Sequence, residues 1–147
     1  MFYILSDTEV ALNEVLIACQ ESIDYYEDAL NDIDDKEVTS LFNNIISERK
    51  IFAKKLEDIL LNLGTLPSAP DPDKETGELI IEKVAASLSP NDIAPLISHR
   101  LDTEQHLQSL IDAASENDLQ EPHRQVIKNL AAQVEDTITK LSSLVRN

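Results

Sequence analysis

A chain of 147 residues holds one compact domain with a sizeable core and is too short for two, so residues 1–147 are read as a single unit. Apolar residues make up 42% and charged ones 27%, which excludes a disordered chain; two Gly, no Trp and 4% aromatics argue against a β-sandwich or barrel and for an all-α fold. Twelve Lys plus Arg against 28 Asp plus Glu leave a formal charge of −16, a field that repels phosphate backbones and anionic lipid headgroups, so neither nucleic acid nor a membrane surface is an expected partner.

The opening run Met1 to Leu5 is apolar but lacks a basic flank and stops at Ser6, too short for a signal peptide or a membrane span. Cys19 has no second cysteine to bridge with, which fits a reducing, bacterial-type cytoplasm. Ser6-Asp7-Thr8-Glu9 is a capping box and predicts a helix start. Leu12, Leu16, Cys19, Ile23, Tyr26, Leu30 and Ile33 follow at spacings of four and three, which places them on one stripe. A stop is expected over residues 31–34, with Asp34 as the next N-cap and Glu37 behind it.

The second helix carries Val38, Phe42, Ile45, Arg49, Phe52, Leu56, Ile59 and Leu63 inward, and Gly64 supplies the left-handed residue that closes it. Each of these helices spans about 26 residues, or roughly 40 Å. Residues 64–89 form the connection: Pro67, Pro70 and Pro72 keep its first half extended, and Gly77 to Leu88 reads as a short amphipathic helix laid across the crossover or the bundle end. Ser89-Pro90-Asn91-Asp92 opens a third long helix, with Ile93, Ile97, Arg100, Glu104, Leu107, Ile111 and Ala114 inward and Pro95 bending its first turns. Pro122 opens a fourth, with Ile127, Leu130, Val134, Ile138 and Leu141 inward. The expected architecture is two antiparallel helical hairpins joined by a long crossover, a four-helix bundle with one extra short helix.

The chain resembles the ferritin-like superfamily of four-helix bundles, and more narrowly a bacterial branch of unknown function. The residues that carry the resemblance are Leu12-Asn13, Tyr25-Tyr26-Glu27-Asp28-Ala29-Leu30, the run from Glu48 to Leu56, and Leu63-Gly64. Di-iron members of the superfamily need a Glu on each of two helices and a Glu-x-x-His pair on each of the other two. Seven residues before Tyr26, where the resemblance places the first glutamate, stands Cys19. Arg49 and Phe52 occupy the second helix's ligand positions, and in the fourth helix Glu135 is followed at the third residue by Ile138. Glu104 is the one weak metal-ligand candidate, so the resemblance implies a degenerate di-metal site and no resident cofactor.

Arg49 on an apolar stripe must be paired or reach water. One reading is a buried pair with Glu104, with Arg100 as a third member; the other is an edge residue reaching solvent. Cys19 is an inert core thiol, or, if Arg49 lowers its pKa, a redox-sensitive one. Antiparallel pairing about residue 34 brings positions 19 and 49 level. His99 and His106 share a face with Asp102 between them, but two helical turns, about 10 Å, separate the two imidazoles. His123 is expected at an exposed helix start. Of the adjacent tyrosines, one belongs to the core and one to an edge.

With no nucleophile–base pair, phosphate loop or full ligand set, the leading expectation is a non-catalytic module that self-associates as a dimer or docks on a protein partner, through Met1 to Leu5 and the short crossover helix. The alternative is an atypical iron- or metal-binding protein, storage-related or oxidoreductive, that uses Glu104, Cys19 or surface carboxylates. A small apolar ligand within the bundle is a third reading that the sequence leaves open.

Overall fold

The computed structural model describes residues 6–67 and 93–146. They form four long helices: α1 (Asp7–Ala29), α2 (Lys36–Asn62), α3 (Ala94–Ser115) and α4 (His123–Arg146), with a 3-10 turn over Leu30–Asp32 after α1. Met1 to Leu5, Pro70, Pro72, the helix expected over 77–88 and the start expected at 89–92 lie outside the described residues. No helix among the described residues is long and apolar enough to cross a membrane.

The helix ends follow from local chemistry. The Ser6 hydroxyl accepts from the Glu9 backbone N–H at 3.2 Å, and the Glu9 carboxylate accepts back from the Ser6 N–H, so the capping box is complete. At α2 the N-cap is Asp35 rather than Asp34. Its carboxylate accepts from the N–H groups of Glu37 and Val38, because the 3-10 turn takes up one more residue than a direct stop would. Gly64 sits at φ +83°. Thr65 N–H donates to the Leu60 carbonyl at 2.9 Å and Gly64 N–H to that of Leu61 at 3.0 Å, which is a Schellman close. Pro95 does not bend α3: it stands in the first turn, where its missing N–H leaves no intrahelical bond unmade.

Two antiparallel hairpins, α1–α2 and α3–α4, pack side by side through α1 against α3 and α2 against α4. Thr8 near the start of α1 bonds Asn117 just past the end of α3, while Tyr25 near the end of α1 meets His99 near the start of α3. α1 and α3 are therefore antiparallel, and α2 and α3 run in the same direction. α2 finishes at one end of the bundle and α3 begins at the other.

The core runs the length of this arrangement, with Leu12, Leu16, Phe42, Leu56, Leu60, Ile97, Leu107, Ile111, Leu130 and Val134 among its buried members. Tyr26 and Phe42 meet edge to face at 4.9 Å. Five expected inward positions differ: Leu30, Phe52, Ile93 and Ile138 are half-buried and Leu63 is 40% exposed, while Ala53, Leu60 and Thr137 are buried. Leu63 is the C-cap residue, one past the last residue of α2, so the helical stripe no longer fixes the direction of its side chain.

Candidate functional site

All four helices contribute polar side chains to a single cluster across the bundle. On α2, Arg49 lies between apolar turns and is fully buried, so it does not reach water. Its Nη2 donates to Glu104 Oε1 at 2.6 Å and its Nη1 to Glu104 Oε2 at 3.0 Å, a bidentate pair with α3. Nη1 also donates to the Ser22 hydroxyl of α1 at 3.0 Å, and Nε to Gln133 Oε1 of α4 at 3.0 Å. The Ser22 hydroxyl in turn donates to the Cys19 carbonyl, and the Gln133 amide to the Thr137 hydroxyl. Every guanidinium nitrogen of Arg49 is thus engaged.

Burial opposes the Arg49 charge, yet the field and hydrogen bonds of Glu104 outweigh it and hold its pKa above the ordinary value. Cys19 lies beside this cluster, fully buried. Burial pushes its thiol up to about 12; the Arg49 charge pulls the other way and Glu104 adds to the rise. The expectation that Arg49 could activate Cys19 is therefore corrected, because desolvation exceeds what a guanidinium already shared with a carboxylate returns.

Arg100 is not a third member of the ion pair. One turn before Glu104 on α3 and fully buried, it turns towards α1, with Cζ 4.4 Å from the Tyr25 ring centre and 5.4 Å from that of Tyr26. Burial lowers its pKa. Tyr26 is the core tyrosine and Tyr25 the half-buried one. Burial, with the charge of Glu104 behind it, raises the Tyr26 pKa and keeps the phenol neutral.

The donor set does not suit a di-metal centre. Glu104 is the one carboxylate buried among the described residues, and both its oxygens are taken by Arg49. No group of three or more His, Cys, Asp or Glu side chains among the described residues could hold a metal ion. His99 packs edge-on against Tyr25 at 6.2 Å, while His106 and Asp102 are exposed. His123 is half-buried rather than exposed, at the first residue of α4. A shallow depression of about 220 Å³, lined by Glu37, Leu41, Lys140, Ser143 and Leu144, lies where α2 starts and α4 ends, away from the cluster.

Ser22, Gln133 and Thr137 are the members that sequence reasoning missed. Their signal was available: Ser22 stands three residues after Cys19, and Gln133 and Thr137 are four apart on the α4 stripe. No protein-family model matches the chain, and neither a curated protein nor a solved structure matches it.

Proposed function

We propose that this chain is a ferritin-like bundle without catalytic chemistry of its own, which acts by binding: self-association into a dimer, or docking on a protein partner. The observation that carries the reading is the saturation of Glu104 by Arg49. A metal entering this core would have to displace a bidentate guanidinium, and would find beside it a protonated thiol, a serine and an amide. Ferritin-like kinship is supported by the parallel run of α2 and α3, the arrangement that requires one long crossover.

With Arg49 and Glu104 turned on each other, recognition of a protein partner falls to the surface. Leu61, Leu63 and Leu66 are 53%, 40% and 84% exposed at the end of α2, and Val10, 41% exposed, stands at the same end of the bundle on α1. Sedimentation velocity over a concentration series tests self-association. A dimer mass that falls to the monomer in a Leu61→Lys/Leu66→Lys variant is the expected result. A monomer at every concentration would overturn self-association and leave docking on a different protein.

A further inference from the structure

Arg49 and Arg100 are both fully buried guanidiniums, but their surroundings differ. Arg49 has an acceptor for each nitrogen, whereas Arg100 Nε, Nη1 and Nη2 have none. Among the described residues two buried guanidiniums stand against one buried carboxylate, which leaves one positive charge uncompensated. Taking such an ion from water costs more than the face of a tyrosine returns, so the two rings beside Arg100 do not balance it.

Among the described residues six buried side-chain atoms have no hydrogen-bond partner; one is Gln20 Oε1, and the other five, the three nitrogens of Arg100, the Tyr26 hydroxyl and His99 Nε2, belong to the last turns of α1 and the first turns of α3. The guanidinium N–H groups and the phenol O–H are donors, and the imidazole nitrogen becomes one in the right tautomer. A site made of unmatched donors and one positive charge lacks acceptors and one negative charge.

We propose that Arg100, Tyr26 and His99 form a binding site for a small carboxylate, held edge to edge by the Arg100 guanidinium and accepting from the Tyr26 hydroxyl. The planar fork of a guanidinium matches a carboxylate in geometry. Aromatic walls and a protein of formal charge −16 favour a planar monoanion over a dianionic, strongly hydrated phosphate. Tyr25, half-buried against the guanidinium, is the outer of the two rings.

The test is a titration of full-length protein with sodium acetate, and separately with sodium phosphate, at constant ionic strength, followed by NMR at the His99 ring nitrogens and the Arg100 Nε–Hε group. The site predicts saturable shifts at both residues with acetate, abolished in Arg100→Met. In Tyr26→Phe, which keeps the ring and removes only the hydroxyl, binding weakens about 10- to 150-fold, the value of one hydrogen bond to a charged acceptor. Because that variant and the wild-type titration do not depend on Arg100→Met folding, the site remains testable if the arginine is structurally required. Shifts that stay linear in acetate, shifts unchanged in Tyr26→Phe, or saturation by phosphate alone would overturn the proposal.

Discussion

Arg49 and Glu104 are joined across the middle of the bundle by two hydrogen bonds, 2.6 and 3.0 Å long, that tie the α1–α2 hairpin to the α3–α4 hairpin. Neither side chain touches water, so the Coulomb gain is set against the desolvation of both ions. Such a pair contributes little net stability over an apolar replacement, yet removal of one member leaves the other buried and unpaired.

That asymmetry makes a signed prediction. Glu104→Leu and Arg49→Met each lower the unfolding free energy by about 3–5 kcal/mol, while Arg49→Met/Glu104→Leu together cost less than either alone. Urea denaturation of the four proteins measures it. Additive losses in the double variant would contradict a mutually dependent pair.

The amide and hydroxyl around Arg49 differ in weight. Gln133 Oε1 is the acceptor for Nε, so Gln133→Leu strands a buried donor and costs about 1–3 kcal/mol. Nη1 retains Glu104 when Ser22 is lost, so Ser22→Ala costs less than Gln133→Leu. Equal effects in urea unfolding would show that the two contacts are not distinguished in this way.

How far the cluster was legible depends on residue type. A charge on an apolar stripe is conspicuous, and helical spacing alone put Arg49, Arg100 and Glu104 on inward faces. Direction was not legible: Arg100 and Glu104 are four apart on α3, yet Arg100 turns to the tyrosines because Arg49 already holds the carboxylate. Neutral polar residues such as Ser22 and Gln133 escaped notice, since a stripe tolerates them at its edge as readily as at its centre. Leu63 shows a different limit: the pattern carried the stripe one residue past the end of α2, where Leu63 is the C-cap and is 40% exposed.

Stability should fall on the alkaline side. The Cys19 thiol is raised in the folded state from 9.0 to about 12, so the folded chain holds a proton that the unfolded chain releases. This contribution is complete below pH 9 and is lost as pH rises from 9 towards 12. The Tyr26 phenol, raised from 10.0, adds a loss that begins about one pH unit later. Urea midpoints measured from pH 7 to 11 should decline from pH 9 in the wild type and from about pH 10 in Cys19→Ala. A thiolate absorbance that grows in the native protein between pH 8 and 9 would contradict the assignment.

Gly64 closes α2 with φ +83°, and a Cβ built there meets no atom within 4 Å. Gly64→Ala therefore costs backbone strain alone, about 1–2 kcal/mol, and Gly64→Asn costs less because asparagine tolerates the left-handed region. Thermal unfolding of the two variants checks the order; an alanine variant as stable as the wild type would show that the Schellman close is not maintained.

The most direct test of the central claim, that Arg49 has taken Glu104 out of metal chemistry, is metal content by mass spectrometry after anaerobic incubation with Fe(II) and washing. The account predicts no retained iron in the wild type, and none in Glu104→Gln. Near-stoichiometric iron in the wild type that disappears in Glu104→Gln would contradict it.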